Sequence, residues 1–342
     1  MSMTEPRTTL ATVAASAGVS VATVSKVLNG RRDVAPATRA RVQEMLRAHD
    51  YGGRLKAIER HPTIELTFRG KIGAYSSEIV QGVATTAGDL GVSVTIGVKP
   101  VDQQPTAKAD AATWARNLAV NGRVAVIAVT DEIGHDEIAA LARLRLPLVV
   151  IDPMNIPSRD MVSVGSTNFR GGQAAARHLV ELGHRRIAYL GGRAEAECSQ
   201  ARLAGLRSAL ETAGIAMPEE YVLSTEDFHY ENGLEGAPRL LSLTERPTAI
   251  FAASDEVARG AIEAARSMGL SVPEDLSVIG FDDTEIARIA SPPLTTVRQP
   301  LQEMGAVALR TALRLVAGEK IDSNHVELAT ELVVRASTAA AP

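Results

Sequence analysis

The chain has 342 residues, 45% hydrophobic, 22% charged and only 3% aromatic, a globular composition whose length predicts a small head plus a two-lobed body with aliphatic cores. A single cysteine, Cys198, excludes an intrachain disulfide or thiolate metal cage. No run approaches 18 uninterrupted apolar residues and no basic-then-apolar leader opens the sequence, so the expected location is the cytoplasm, with no membrane partner. The net charge of −4 is uneven: residues 1–62 hold ten Lys/Arg against five Asp/Glu, and the other 280 hold 26 against 35, which suits a chain that meets a polyanion with one end.

Three short helical patterns occupy the start: Leu10 to Ala17, Val21 to Leu28 and Pro36 to His49. Gly18-Val19-Ser20 joins the first two as a three-residue turn whose glycine suits positive φ, the proportion of a helix-turn-helix. Ser20 is placed to cap the second helix and Pro36 fits the first turn of the third. Val13, Ala17, Val24, Val27 and Leu28 fall at spacings that close one small core. Residues 52–62, GGRLKAIERHP, read as a linker.

Beyond it, β-rich runs at 64–68, 92–98, 124–129, 148–151, 187–192, 249–253 and 277–281 alternate with helical patterns at 77–90, 136–145, 170–182, 201–213, 255–268 and 300–316. Such alternation predicts parallel sheets wound on both faces. In those folds ligands bind outside the carboxyl ends of the strands. Asp131, Asp152, Ser254-Asp255 and Asp282-Asp283 all follow strands there. Each alone reads as a helix cap, whereas four such positions together point to a ligand cleft. Trp114 is expected to pack a helix against the sheet.

The segments TLATVAASAGVSVATVSKVLNG and TRARVQEMLRAHDY resemble the head of the lactose-repressor/galactose-repressor (LacI/GalR) family of transcription regulators. RHLVELGHRRIAYLGG, RLAGLRSAL, AIFAASDEVARGAIEAARSMGLSVPEDLSVIGFDD and SPPLTTVRQPLQEMG resemble its body, in the family's order. The resemblance implies an all-α helix-turn-helix head over residues 1–51, a linker or hinge over 52–63, and an α/β, two-lobed, periplasmic-binding-protein-like (type I) core over 64–337. Lobe 1 would span about 64–164 and 297–325, lobe 2 about 165–296 and 326–337, and a tail 338–342.

The same resemblance places base contacts at Val21, Ala22 and Lys26, where lysine can donate to guanine and the apolar pair can meet a thymine methyl. It places phosphate contacts at Thr9, Ser20, Thr23, Ser25 and Asn29, for which capping is the competing role. The linker departs from the family pattern, since Arg60 stands where a groove-inserting leucine belongs. Leu55 or Ile58 could insert in a shifted register, or Arg54, Lys56 and Arg60 could enter a narrow minor groove. Effector contacts fall on Asp152, Asn168, Arg202, Ser254 and Asp282, groups that grip neutral hydroxyls by accepting and donating. Arg202 and Asp282 could instead form an internal ion pair. Tyr75, in the loop at 69–78, either stacks on a sugar ring or covers the core, and Phe228 and His229 are candidate walls.

The implied function is a DNA-binding regulator, a repressor by default, acting as a homodimer on a near-palindromic operator under a small-molecule effector, most naturally a sugar, with no cofactor. An enzyme or nucleotide-binding protein is the second reading. Gly191-Gly192-Arg193 follows a strand, but neither a G-x-G-x-x-G nor a P-loop pattern is present, and His178 and His184 flank a helix end as structural residues. An exported solute-binding protein shares the body fold, and the basic head and missing leader argue against it.

Overall fold

The computed structural model describes residues 9–28, 31, 34–48, 62–99, 108–156 and 158–342, which fall into two units divided between residues 61 and 62. In the first, α1 (Leu10–Ala17), α2 (Val21–Leu28) and α3 (Pro36–Ala48) close around Val13, Ala14, Ala17, Val24, Val27, Val42 and Leu46. The axes of α1 and α2 turn by 98°. Gly18 makes that turn at φ 64°, ending α1 with its N–H on Ala14 O and Ala15 O. The side chain of Leu28 lies outside the described residues, as do Asn29, Arg54, Leu55, Lys56, Ile58 and Arg60.

The second unit holds two six-stranded sheets. Sheet 1 comprises β1 (Thr63–Arg69), β2 (Ser93–Lys99), β3 (Arg123–Val129), β4 (Leu148–Ile151), β5 (Val162–Ser166) and β11 (His325–Leu328), in the order β11-β5-β4-β3-β1-β2, all parallel. Sheet 2 comprises β6 (Ile187–Leu190), β7 (Val222–Leu223), β8 (Ala249–Ala252), β9 (Ser277–Asp282), β10 (Thr295–Arg298) and β12 (Glu331–Val333), in the order β12-β10-β9-β8-β6-β7, with only β12 antiparallel.

Strand alternation sends residues to both faces of each sheet. From β3, Ala125, Ile127 and Val129 pack with residues of α4 (Ala74–Leu90) and α12 (Leu301–Val316). Val126 packs with α5 (Lys108–Val120) and α6 (His135–Arg143). From β6, Ile187 and Tyr189 join α7 (Asn168–Glu181) and α8 (Glu197–Thr212). Ala188 and Leu190 join α9 (Tyr230–Leu241) and α10 (Asp255–Ser267). A short α11 (Glu285–Ile289) completes lobe 2.

The chain crosses between lobes three times, after β5, after β10 and between β11 and β12. These crossings correct the expected lobe limits: β5 runs to Ser166, β10 to Arg298 and β11 to Leu328, so the sheet boundaries fall a few residues later than 164, 297 and 325. Strands β5, β7, β10, β11 and β12 and helices α9 and α11 had no counterpart in the sequence pattern; the strands and α11 are short or polar, and α9 carries Gly233, Gly236 and Pro238, which read as loop signals. Residues 338–342 are not a loose tail. Ala339 N donates to Ser277 Oγ at 3.0 Å and Ala341 N to Leu182 O at 2.8 Å.

Candidate functional site

In the head, Val24 and Val27 face the core, which turns Val21, Ala22 and Lys26 outward on the opposite side of α2. Val21 is 46% exposed, an apolar side chain at the start of a helix that is left partly uncovered by the described residues. Thr9 caps α1 through a reciprocal pair with Thr12, and Ser20 Oγ accepts from Thr23 N at 3.1 Å. Thr9, Ser20 and Thr23 are thus engaged in capping, and their hydroxyls surround the α2 N-terminus or begin α1. Ser25 is half-buried on α2.

In the core, a cavity of about 220 Å³ opens between the carboxyl ends of the two sheets. Tyr75, Asp152, Arg202, Ser254, Asp282, Phe228 and His229 line it together. Lobe 1 also contributes Arg69 and Lys71, from the loop at 69–78 expected to face the cleft, with Thr130 and Met154, and lobe 2 contributes Arg193, Cys198, Asp227 and Glu256; Thr130, Met154, Asp227 and Glu256 were not singled out by the sequence pattern. Glu256 was hidden because an acidic residue in a helix's first turn reads as a dipole partner.

Arg202 is positioned by close helix packing. A Cβ at Gly172 of α7 would lie 2.2 Å from Arg202 O, and one at Gly205 of α8 would lie 2.1 Å from Phe169 O, so the two backbones meet only because both positions are glycine. From there Arg202 Nε donates to Asn168 Oδ1 at 2.7 Å, Nη1 to Ala253 O at 2.5 Å, and the guanidinium sits 3.7 Å from the Phe281 ring centroid. Its hydrogen-bond partners are an amide and a carbonyl rather than the aspartate of the alternative ion-pair role, and Asn168 supports Arg202 rather than lining the cavity.

The strand-end aspartates are not helix caps. Asp131 is fully buried and accepts from Arg69 Nε at 2.6 Å and Lys99 Nζ at 2.8 Å, while Lys99 also stands 4.5 Å from the Trp114 ring. Asp152 accepts from Tyr75 Oη at 2.7 Å. Asp282 accepts from Gln299 Nε2 at 2.6 Å, and Asp283 accepts from Arg298 and Arg335. Asp255 accepts from Thr284 N, Thr284 Oγ1 and Thr296 Oγ1. Only Ser254 caps, taking Val257 N at 3.1 Å and giving its own hydrogen to Phe228 O at 2.7 Å, so its hydroxyl is already occupied. Tyr75 packs on the lobe 1 core and lines the cavity, with its hydroxyl held by Asp152.

Thr130, Asp152, Asp282 and Asp283 hold positive φ of 45°, 43°, 115° and 57° at these strand ends. Non-glycine residues in such conformations store strain, which gathers where backbone must present side chains to a ligand. Burial pushes the Asp152 and Asp282 carboxyls up, against the lowering pull of Arg202, and Asp282 ends well above the ordinary range. Burial also raises the Cys198 thiol to about 11. His178 and His184 stay structural: His184 bonds Thr248, Ser277 and Ala339 O, His178 bonds Thr338, and burial lowers both. Among the described residues no cluster of metal-ligating side chains occurs, and no single helix is long and apolar enough to cross a membrane.

Residues 9–52 match bacterial regulatory proteins of the lacI family, and residues 176–338 match a periplasmic binding protein-like domain. The HTH-type transcriptional regulator DegA of Bacillus subtilis (strain 168) is 36% identical over 339 residues, covering 97% of this chain and 98% of that protein. This chain belongs to the LacI family. The HTH-type transcriptional repressor PurR of Klebsiella pneumoniae (strain 342) is 32% identical over 98% of each chain. Among solved structures, the Lac repressor dimer bound to operator and the anti-inducer ONPF has a TM-score of 0.74 at 28% identity, covering 98% of this chain and all of that one. A complex of the transcriptional regulator CelR with cellobiose has 0.72 at 30%, covering 97% and 100%. LacI-family membership makes the chain a DNA-binding transcription regulator and not an enzyme, and it accounts for the helix-turn-helix and the two-sheet core together.

Proposed function

We propose that this LacI-family chain is a transcription repressor that acts in the cytoplasm, at the nucleoid, as a homodimer on a near-palindromic operator. Its operator affinity is controlled by a neutral polyhydroxylated effector, a mono- or oligosaccharide, bound in the cleft. Val21, Ala22 and Lys26 read bases, and Thr9, Ser20, Thr23, Ser25 and Asn29 contact phosphates, with Arg54 and Arg60 as the linker's groove contacts. In the cleft Asp152, Arg202 and Asp282 hold the effector while Tyr75 closes over it.

The observation that carries this reading is the donor set. Two of the five guanidinium N–H groups of Arg202 are spent inside lobe 2, which leaves three for a ligand. They stand beside two buried carboxyls that can accept from hydroxyls. Such a set matches an uncharged molecule that both donates and accepts. The cavity of about 220 Å³ is smaller than the ~300–1,000 Å³ usual for larger ligands, which favours the monosaccharide end of the class.

Control follows from linkage: an effector that touches both lobes prefers one lobe arrangement and shifts the protein towards it. Asp282 connects the cleft to the crossings, because Gln299 bonds Asp282 through Nε2 and receives Ser166 Oγ at 2.5 Å. Two heads on one dimer gain avidity for two half-sites, so a changed lobe arrangement alters operator affinity. The test is a fluorescence-anisotropy titration against a palindromic gal-type operator and a scrambled duplex at fixed salt, with and without a panel of mono- and disaccharides. Preference for the palindrome by about 10³-fold, altered by one sugar, supports the reading. Equal binding to both duplexes, unmoved by any sugar, overturns it.

A further inference from the structure

The cleft is bridged across its mouth by a contact that no ligand makes. Helix α4 of lobe 1 starts at Ala74, and its N-cap, Gly73, offers no side chain to the first exposed N–H groups. That role is filled from the other lobe. Glu256 Oε1, in the first turn of α10, accepts from Ala74 N at 2.9 Å, and Glu256 Oε2 pairs with His229 Nδ1 at 3.0 Å.

The identity of residue 73 fits the same contact. Its backbone, at φ −102° and ψ −164°, is open to any amino acid. Space is the constraint instead: a Cβ there would lie 2.3 Å from Glu256 Oε1. The groups facing the pair are consistent with a held carboxylate. Lys71 stands on the lobe 1 side, and Asp227 and Glu231 stand on the lobe 2 side, Lys71 reaching Glu231 Oε1 at 3.4 Å. Burial pushes the Glu256 carboxyl up, but the bonds from His229 and Ala74 and the charges of His229 and Lys71 bring it below its ordinary value. The bond to Glu256 raises the His229 imidazole.

We propose that Glu256, aimed by His229, is an interlobe latch that holds the cleft closed by capping α4 of the opposite lobe, and that glycine at position 73 exists to admit it. Charge at a helix N-terminus strengthens such a cap. The latch forms without any effector, so its test, made on the ligand-free protein, is independent of the functional reading above.

Cys198 supplies the readout. It is the sole thiol of the chain, buried in the cleft against Met154 of lobe 1 and Phe228 of lobe 2. Opening the cleft withdraws Met154 and exposes it. The experiment compares iodoacetamide labelling rates of Cys198 in the full-length, ligand-free protein for the wild type, Gly73→Ala, Glu256→Ala and Glu256→Gln, all at one pH; opening speeds labelling both by admitting the reagent and by relieving the burial that holds the thiol protonated. Circular dichroism checks that each variant is folded.

Gly73→Ala and Glu256→Ala should each label about tenfold faster than wild type, the loss of one charge-assisted bond. Glu256→Gln, whose amide oxygen can still accept from Ala74 N, should restore most of the protection. Rates for folded Gly73→Ala and Glu256→Ala within twofold of wild type would overturn the latch. So would equal acceleration by alanine and glutamine at 256, which would assign the residue to packing. Should Glu256→Ala not fold, Gly73→Ala decides alone, because it adds one methyl group to an unstrained position.

Discussion

The Arg202 guanidinium stacks 3.7 Å from the Phe281 ring centroid, with both side chains buried in lobe 2. Arg202 therefore has two duties, bracing α7, α8 and β8 through Asn168 and Ala253, and facing the cleft. Arg202→Ala leaves a buried amide oxygen and a carbonyl without donors, and should lower core stability by about 1–3 kcal/mol as well as abolish the effector response. Arg202→Lys keeps a charge near Asp152 and Asp282 but not the planar fork. It should retain more of the stability while still losing the response. Urea unfolding and sugar-dependent operator binding on both variants separate the two duties. Full response in folded Arg202→Lys would remove the fork from effector binding.

Gly172 tests how the helices place that side chain. Gly172→Ala drives a methyl group into the Arg202 carbonyl, a backbone atom that cannot step aside as a side chain can. Overpacking of this kind costs about 1–3 kcal/mol. Alanine has the better helix propensity, so an unstrained exposed site would be stabilised instead. A lowered urea midpoint is the expected result, with a weaker effector response because α8 must move.

Helices α1 and α2 were legible because a 3.6-residue pattern, a glycine turn and capping hydroxyls agree, and their ends fall where the pattern puts them. The longer buried strands were legible as apolar runs. β10 (TTVR), β11 (HVEL) and β12 (ELV) were not, since three or four polar or mixed residues carry no period. The cleft was half legible. Asp152 and Asp282 stood out by following strands, but their nature depends on positive φ and on partners such as Tyr75 and Gln299, which are 77 and 17 residues away. Glu256 and Gly73 meet only because lobes 1 and 2 face each other, a relation that no local window contains.

Asp255 and Asp282 carry a pH prediction. Burial pushes the Asp255 carboxyl up to about 7 despite three hydrogen bonds, and pushes Asp282 well above the ordinary range. A raised carboxyl means that the folded chain holds protons that the unfolded chain, with carboxyls near pKa ~3.9, has released. Their contribution is therefore greatest below about pH 4 and is lost as pH climbs towards 7. Asp255→Asn, which keeps an oxygen for Thr284 N, should flatten this part of the stability profile. Urea midpoints of wild type and variant between pH 5 and 7.5 check it, and parallel profiles would show that Asp255 does not titrate in that window.

Lys26 stands exposed on α2 with Val21 and Ala22, and the three together make a narrow apolar and cationic face. A lysine that donates to guanine specifies one base pair, whereas one that only meets phosphate adds affinity for any sequence. Lys26→Ala should relax preference at one operator position by about 1–3 kcal/mol per half-site and leave preference elsewhere intact. Val21→Ala should instead weaken selection at a neighbouring position by a smaller amount, since only apolar contact is lost. Anisotropy titrations with single-base operator variants at constant salt read both. Uniform weakening across all variants, together with a shallower salt dependence, would move Lys26 from base reading to backbone contact.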